Sequence, residues 1–259
     1  MLNSIIDDRG VATITLSRPD LHNAFNDELI AKITEAFKAL DQDNKVRLIV
    51  LTGEGASFCA GADLNWMKKM KDYSEEENYQ DSLKLSSMFW TINNCKKPVI
   101  GKINGHALGG GVGLVSCCDY VVASRDAMFG LTEVRLGLVP AVISPFVVNK
   151  MGESFSRAYF MSGEKFTSEK AMVMGLVHEV VELSALNESI EKVTKSFLTA
   201  APGAAVVAKD LVFKNKLMPM GKELQEFTCR TIAKIRTGAE GQEGMSAMLE
   251  KRKANWMNK

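Results

Sequence analysis

Short runs in which apolar and polar positions alternate occur along the first two thirds of the chain, and this period of two is typical of β-strands. The clearest run is Val-Ala-Thr-Ile-Thr-Leu at residues 11–16, which ends at Ser-Arg-Pro-Asp. Other apolar runs predict strands at residues 46–51, 98–103, 120–123, 127–130 and 175–177.

Between these runs the apolar residues recur every three or four positions, as on the buried face of an α-helix. The first helix is predicted to start after Asn26, whose side chain can accept a hydrogen bond from a free N–H group of the first turn. Further helices are predicted at residues 79–93 and 146–161, and Gly163 is expected to end the second of them.

From Ser184 to Trp256 the pattern is helical throughout, with one break at residues 201–203. We therefore predict a core of strands and helices at residues 1–200, followed by a helical region at residues 201–259. The predicted fold class is α/β or α+β. The helical region has apolar faces that no predicted strand covers, so it must bury them on its own core or on another subunit.

Gly109, Gly110, Gly111 and Gly113 fall where a helix should begin. Glycine destabilises a helix by roughly 0.5–1 kcal/mol relative to alanine, so such a cluster needs a reason. The free N–H groups of a helix start favour an anion, either an oxygen that becomes negative during reaction or, with less support from the glycine spacing, a phosphate. Close packing of the helix against a strand is an equally good explanation.

Composition limits the possible functions. The net charge is +1, which argues against nucleic acid or another polyanion as a partner. Five cysteines without the spacing of a disulfide framework or a metal site indicate reduced thiols, and the adjacent Cys117 and Cys118 are expected to be buried apolar residues. The first residues do not resemble a signal peptide and no apolar run is long enough to cross a bilayer, so we expect a cytoplasmic protein without a membrane partner.

Five segments together resemble the crotonase superfamily of enoyl-CoA hydratases and isomerases. They are residues 60–64, 104–111, 118–119, 129–137 and 243–255. The resemblance spans the chain and implies a crotonase-type spiral of strand–strand–helix (ββα) turns with a C-terminal helical trimerisation region. It also implies an acyl-CoA thioester as substrate, no cofactor other than the coenzyme A of the substrate, no metal, and a homotrimer or a dimer of trimers.

The resemblance also assigns residues to the site. The backbone N–H groups of Ala62 and Gly110 would hold the thioester oxygen, and preformed donors of this kind stabilise an enolate by roughly 2.7–4 kcal/mol each. Ala60 and Leu64 would line the coenzyme A arm, and Lys251 would reach coenzyme A phosphates from a neighbouring subunit, unless it is an ordinary solvated charge. The other residues assigned to substrate binding are Asp63, Gly109, Gly113 and Ala141.

Hydratases of this family typically use two glutamates, and only one is present here. Glu133 occupies the second position, whereas the first falls on Gly113. As a hydratase, Glu133 would take a proton from water during attack at C3 and deliver a proton to C2, with the Ala141 N–H orienting the water. As an isomerase, it would take a proton from C2 and return it at C4. Both reactions need a carboxyl group whose pKa is raised by apolar neighbours.

Gly113 also bears on the substrate. The missing side chain is expected to widen the pocket for a branched acyl group, and Gly113→Glu is expected to raise activity on small linear substrates. The sequence at residues 113–119 and 130–145 is most similar to bacterial proteins of leucine and isoprenoid breakdown assigned as methylglutaconyl-CoA hydratases. That substrate carries a remote carboxylate, for which the sequence nominates no cation.

Two other classes of function stay open. A nucleophilic hydrolase would also use an oxyanion hole, but the chain has no G-x-S-x-G motif, and Cys59 has no evident histidine partner. A crotonase-like protein that binds acyl-CoA without turnover would explain the missing glutamate, although the retained Glu133 argues against it. His106 is expected to form a local contact rather than to act in catalysis, and Asp119 is expected to be a structural carboxylate.

Overall fold

The computed structural model describes residues 1–257. Within these residues the strands are β1 (Leu2–Ile6), β2 (Val11–Leu16), β3 (Leu48–Gly53), β4 (Ser57–Cys59), β5 (Val99–Ile103), β6 (His106–Leu108), β7 (Tyr120–Ser124), β8 (Met128–Gly130), β9 (Lys165–Thr167) and β10 (Glu179–Val181). The α-helices are α1 (Asp27–Gln42), α2 (Leu64–Met70), α3 (Glu75–Asn93), α4 (Gly110–Ser116), α5 (Ser144–Ser162), α6 (Ser168–Val173), α7 (Leu186–Leu198), α8 (Pro202–Leu217), α9 (Lys222–Thr237) and α10 (Ala239–Leu249).

The larger sheet has six strands in the order β1-β2-β3-β5-β7-β10. The β1–β2 pair is antiparallel, and the other neighbouring pairs are parallel. The inner strand β3 is apolar on both faces. Ile49 and Leu51 of β3 pack into the main core, whereas Leu48 and Val50 pack in a second cluster that includes residues of α7. Burial on both faces explains why the sequence of β3 is a continuous apolar run.

The smaller sheet has the strand order β4-β6-β8-β9, and its first three strands run parallel. Each of these three follows a strand of the larger sheet and precedes a helix, which gives the repeated strand–strand–helix turns of the predicted spiral. Since parallel neighbours end at the same edge of a sheet, residues 60–62, 109–110 and 131–133 lie side by side. The candidate site forms at this edge.

Most predicted elements are found near their predicted positions. Asn26 caps α1 and accepts a hydrogen bond from the Leu29 N–H at 2.9 Å, and Gly163 ends α5 in the left-handed region at φ 60°. The strand β1 was not predicted. Its residues after Leu2 are all exposed, so neither face selects for apolar residues and its sequence does not alternate.

The predicted strand at residues 175–177 is wrong. Gly175 has a φ of +78°, and the N–H groups of Leu176 and Val177 both donate to the carbonyl of Ala171 in α6. The segment is therefore the turn that ends α6, and its two apolar side chains are buried in the core. The apolar run is therefore explained by burial and not by a strand. The strand β10 starts only at Glu179.

The helices α8, α9 and α10 follow both sheets. Their exposed apolar side chains include Leu217, Ile232, Met248 and Leu249. Within residues 1–257, no single helix has the length and apolar composition needed to cross a membrane. A pair at Leu183–Leu198 and Pro202–Leu217 meets that test only jointly, across a bend of 99°.

Candidate active site

The segment that follows β4 and the segment that follows β6 approach closely. Gly61 has a φ of +90°, and a Cβ atom there would lie 3.0 Å from the carbonyl oxygen of Leu108 and 3.7 Å from the nitrogen of Gly110. Gly109 also has a positive φ, of +51°. These backbone conformations favour glycine, and they bring Ala62 and Gly110 to the wall of one cavity.

The N–H groups of Ala62 and Gly110 are both free to bind a ligand. In the part of the chain that the structure describes, neither donates to a protein acceptor, whereas the N–H groups of their neighbours Asp63 and Gly109 are engaged. Gly110 is the first residue of α4, so its N–H lacks an acceptor one turn earlier in the helix. Two backbone donors in a cavity wall can stabilise an oxygen that becomes negative.

Phe25 links the two donors. Its N–H donates to the Gly61 carbonyl at 2.7 Å and its carbonyl accepts from the Asp63 N–H at 2.8 Å, so that Phe25 and Ala62 form a parallel bridge. Its ring lies against Gly110, where a Cβ atom would be only 2.6 Å from Phe25 Cε2. Sequence reasoning missed this residue, because its position just before the Asn26 cap carries no sign of the contact.

Packing contacts and backbone conformation explain three members of the glycine cluster. A Cβ atom at Gly111 would overlap the carbonyl oxygen of Cys59, so packing against β4 requires glycine there. Gly109 is required by its positive φ, and Gly110 by its contact with the ring of Phe25. Packing therefore accounts for Gly110 and Gly111 and the backbone conformation for Gly109, while the anion explanation depends on the free N–H group of Gly110.

Glu133 lies in a 3₁₀ turn, Thr132–Leu136, directly after β8. Its Oε1 is next to Gly109, since a Cβ atom at that glycine would be 3.1 Å from it. Its Oε2 is buried and has no hydrogen-bond partner among the described residues. Burial raises the pKa of the Glu133 carboxyl above its ordinary value. A half-buried acid of this kind beside two free N–H groups is suited to proton transfer.

A cavity of about 610 Å³ connects these groups. The residues predicted for the site that line it are Ala60, Ala62, Leu64, Gly109, Gly110, Glu133 and Ala141. Three other predicted residues, Asp63, Gly113 and Lys251, do not belong to its lining within this chain.

The prediction that Gly113 widens the pocket is wrong. A Cβ atom at Gly113 would overlap Ile143 Cγ2 and would lie 2.9 Å from Phe89 Cε1. Both side chains are buried, and Ile143 itself lines the cavity. The place of the missing glutamate is therefore filled by hydrophobic side chains instead of being vacant.

The predicted role of the Ala141 N–H is also wrong. Ala141 lines the cavity, but its N–H donates to the Val139 carbonyl at 2.8 Å. This bond closes a three-residue turn around Pro140, whose fixed φ suits such a turn. The N–H is therefore already engaged and does not orient a water molecule.

Asp63 has a structural role in place of the predicted contact with substrate. It is 6% exposed, caps α2 through the Asn65 N–H at 2.7 Å, and pairs with Arg18 at 2.7 Å. Burial alone would raise the pKa of Asp63, but the hydrogen bonds from Arg18 and from the backbone of α2 together lower it. Asp63 thus anchors the backbone next to Ala62.

Lys251 follows α10, is exposed, and has a φ of +55°. The predicted contact of Lys251 is with coenzyme A in a neighbouring subunit, so its distance from the cavity of its own chain does not bear on it. The assignment stays a prediction.

The side chains considered for a nucleophilic hydrolase do not form a catalytic pair. Cys59 is fully buried, and burial raises the pKa of its thiol to about 12, so it is not a thiolate. His106 accepts a hydrogen bond from the Met128 N–H at 3.1 Å, which confirms its local role. Among residues 1–257 no three His, Cys, Asp or Glu side chains are arranged to hold a metal ion.

Two structural predictions near the glycine turn are confirmed. Asp119 accepts hydrogen bonds from the Val99 N–H at 2.8 Å and from Lys209 at 2.7 Å, although α4 ends before it. Cys117 and Cys118 are buried, and burial raises the pKa of both thiols.

Sequence reasoning also missed two polar residues of the cavity wall, Trp66 and Asp81. A signal for Asp81 was present. It lies on the same face of α3 as Met88, Phe89 and Ile92, and helical periodicity alone would have placed it inside.

The chain is similar to known proteins along almost its whole length. The family model described as enoyl-CoA hydratase/isomerase matches residues 7–259. The solved structure of an enoyl-CoA hydratase from Shewanella pealeana is 33% identical, with a TM-score of 0.95 over 98% of this chain and 95% of that one. The enoyl-CoA hydratase AKT6-1 of Alternaria alternata is 33% identical over 96% of this chain and 82% of its own. The crotonyl-CoA hydratase of Syntrophomonas wolfei is 30% identical over 96% of this chain and 95% of its own.

Proposed function

Because the chain belongs to the enoyl-CoA hydratase/isomerase family, we propose that it hydrates a 2-enoyl-CoA thioester with Glu133 as its single acid–base group. The observation that carries the proposal is the juxtaposition of the buried, unpartnered Oε2 of Glu133 with the free N–H groups of Ala62 and Gly110. The donors suit the thioester oxygen, and the carboxyl group suits the carbons next to it.

The proposed reaction uses one water molecule and one carboxylate. Glu133 accepts a proton from water while the water oxygen forms a bond to C3. The electrons of the double bond move onto the thioester oxygen, and the N–H groups of Ala62 and Gly110 stabilise the resulting enolate. The protonated Glu133 then returns the proton to C2, which regenerates the carboxylate. The steps need no group beyond the coenzyme A of the substrate.

One observation favours an isomerase as the second candidate. Ile143 and Phe89 occupy the space of the other acid, so the wall near Gly113 is apolar and provides no polar group for a water. In that case Glu133 takes a proton from C2 of a 3-enoyl-CoA and returns it at C4. The two reactions are separated by supplying the protein with 2-hexenoyl-CoA and 3-hexenoyl-CoA and identifying the products by mass and chromatography.

The acyl group proposed from the sequence is branched and resembles methylglutaconyl-CoA. Its support is the sequence similarity of residues 113–119 and 130–145, because the packed space at Gly113 adds no room for a branch. The lining of the cavity within this chain includes the acidic Asp81 and Glu133 and no Lys or Arg side chain among the described residues, so a remote carboxylate would need a cation from another subunit. A comparison of kcat/KM for crotonyl-CoA and methylglutaconyl-CoA tests the hypothesis, and a clear preference for crotonyl-CoA would reject it.

We also propose a homotrimer or a dimer of trimers in the cytoplasm. The exposed apolar side chains of α8 to α10 support an oligomer, since helices with apolar faces need a partner surface. The five unpaired cysteines fit a reducing compartment. Sedimentation analysis of the purified chain tests the assembly, and a monomer at micromolar concentration would contradict it.

The proposed function itself is tested by incubating the protein with crotonyl-CoA and following the loss of the conjugated thioester. We expect 3-hydroxybutyryl-CoA as the product. Binding of crotonyl-CoA without turnover would instead favour the third candidate, a protein that binds acyl-CoA without catalysis.

A further inference from the structure

One short segment contacts both of the backbone donors in the cavity wall. It consists of residues 22–25, which pair with residues 60–63 through three backbone hydrogen bonds of 2.7, 2.8 and 2.9 Å. The second of these segments contains Ala62, and the ring of Phe25 in the first lies against Gly110. The position of the first segment therefore determines where both donors lie.

This segment begins in a backbone conformation that few residues adopt. His22 has a φ of +49° and Asn23 a φ of +57°, so both lie in the left-handed region. Side chains other than glycine are uncommon there, although histidine and asparagine are among the residues that tolerate it best. Each such residue carries a cost in conformational free energy, and it persists only where surrounding contacts hold it.

The side chain of Asn23 supplies those contacts. It is fully buried, and its Oδ1 accepts a hydrogen bond from the backbone N–H of Arg18 at 2.8 Å. Its Nδ2 donates to the carbonyl of Glu54 at 2.9 Å and to the carbonyl of Ser57 at 2.8 Å. Glu54 follows β3, and Ser57 is the first residue of β4, the strand that leads to residues 60–62. One amide group therefore ties residue 23 to the start of the strand that carries the first donor.

We propose that Asn23 is a positioning residue of the reaction. Its amide fixes residues 22–25 against the start of β4, and Phe25 transmits that position to the N–H groups of Ala62 and Gly110. Asn23 is not among the described residues that line the cavity, so it acts through Phe25 and not on the substrate. The inference rests on the proposed function, because it requires that the two N–H groups bind the thioester oxygen.

A residue that only stabilises the fold and a residue that positions the donors are distinguished by the carbonyl of a bound ligand. Hydrogen bonds to a thioester oxygen weaken the C=O bond and lower its stretching frequency. Infrared difference spectra of butyryl-CoA labelled with ¹³C at the carbonyl, recorded with the protein in excess, measure this frequency. The saturated acyl group does not react, and the bound signal comes only from folded protein. The frequency therefore does not depend on how much of a variant is folded.

Asn23→Gly removes the amide group and leaves a residue that adopts a positive φ without strain. We expect the carbonyl frequency of bound butyryl-CoA to return about half of the way to its value in water. We also expect kcat for crotonyl-CoA to fall by about 10- to 100-fold, since a displacement of about 1 Å at a reacting centre can lower the rate by about 100-fold. Asn23→Ser keeps one hydroxyl donor, so it should lie between the wild type and Asn23→Gly in both measurements. It decides the question if Asn23→Gly does not fold.

Ser168→Ala is the matched control. Ser168 is also fully buried, and its hydroxyl oxygen lies 2.6 Å from the carbonyl oxygen of Ser124 and 3.0 Å from that of Ala127. We expect this variant to lose melting temperature but to keep the carbonyl frequency and the kcat of the wild type.

Two results overturn the inference. In the first, the folded variant of Asn23 keeps the wild-type carbonyl frequency and kcat. In the second, Ser168→Ala changes both quantities as much as the substitution of Asn23 does. If the wild type itself leaves the carbonyl frequency at its value in water, the two N–H groups do not bind the thioester oxygen and the proposed function fails as well.

Discussion

The side chain of Ile143 occupies the space into which a side chain at position 113 would extend. A Cβ atom built on Gly113 would overlap Ile143 Cγ2, and Phe89 closes the same space from α3. The absence of a second glutamate is therefore matched by hydrophobic packing around the position. Glu133 is the acid that lies in the same cavity wall as the free N–H groups of Ala62 and Gly110.

Gly113→Glu is expected to destabilise the protein instead of raising its activity. The new side chain must displace Ile143 or Phe89, and overpacking of this kind costs about 1–3 kcal/mol of the free energy of unfolding. Burial of the added carboxyl group increases that cost. Denaturant unfolding and crotonyl-CoA turnover measure the two effects.

The matched control for this variant is the double substitution Gly113→Glu with Ile143→Ala. It removes the methyl group that the new Cβ atom would overlap, so it should recover part of the lost stability. A stable single variant that turns over crotonyl-CoA faster than the wild type would show that Ile143 does not fill the position as described.

Phe25→Leu is expected to lower kcat more than its loss of stability would suggest. The ring holds Gly110 in place and the backbone of Phe25 holds Ala62, so a smaller side chain lets the two donors move relative to each other. A displacement of about 1 Å at a reacting centre can lower the rate by about 100-fold. Steady-state kinetics at a temperature where the variant is fully folded measures the effect.

Phe37→Leu provides the comparison for Phe25→Leu. Phe37 is fully buried on the inner face of α1 and does not line the cavity. Both substitutions should reduce the free energy of unfolding by about 1–3 kcal/mol. Equal kcat values for the two folded variants would show that Phe25 has no special effect on the donors.

The sequence was sufficient to predict the features that depend on local pattern or on recognisable motifs. Asn26 as an N-cap and the strand at residues 11–16 followed from neighbouring residues. The assignments of Ala62, Gly110 and Glu133 came from the resemblance of their motifs to those of a known family. The structure places these motifs after three neighbouring strands of a parallel sheet.

Features that depend on contacts between distant segments could not be predicted in this way. The sequence does not show that Ile143 fills the space at Gly113, that Phe25 lies against Gly110, or that Ala141 is already hydrogen-bonded within its turn. Each of these facts depends on how segments pack or on the exact turn geometry. Asp81 is different, since its helical face could have been read from the periodicity of α3.

Asp63→Asn is expected to lower the free energy of unfolding by about 3–5 kcal/mol near neutral pH. Asparagine keeps the N-cap of α2 but leaves the largely buried guanidinium of Arg18 without its ionic partner. Because the folded-state pKa of Asp63 lies below 3.8, the stabilisation is present above pH 3.8 and is lost as the pH falls through the folded-state value. Unfolding curves over this range measure it.

The ion pair of Asp63 with Arg18 predicts that the wild type and Asp63→Asn become closer in stability at low pH. A difference in the free energy of unfolding that stays the same at low pH would contradict it. Asp20→Asn, at an exposed aspartate close to Arg18 in sequence, is the control and should have little effect at any pH.

The pH dependence of the reaction should follow the raised pKa of Glu133. The base is the carboxylate, so kcat/KM is expected to fall as the pH is lowered through a value above 4.5, the ordinary pKa of a glutamate. The same shift means that the wild type is stabilised below pH 4.5 and loses that stabilisation as the pH rises through the folded-state pKa. Glu133→Gln should therefore gain melting temperature relative to the wild type between pH 4 and pH 7. An acid limb of kcat/KM at or below pH 4.5 would contradict the assignment.

The most direct measurement compares Glu133→Gln with the wild type for hydration of crotonyl-CoA and for binding of butyryl-CoA, a saturated analogue that cannot react. We predict a loss of kcat of about 10²- to 10⁴-fold, with nearly unchanged affinity for butyryl-CoA, because the substitution removes the base and keeps the shape of the side chain. Glu164→Gln, at an exposed glutamate after α5, should behave as the wild type. A Glu133→Gln variant that hydrates crotonyl-CoA at the wild-type rate would contradict the account.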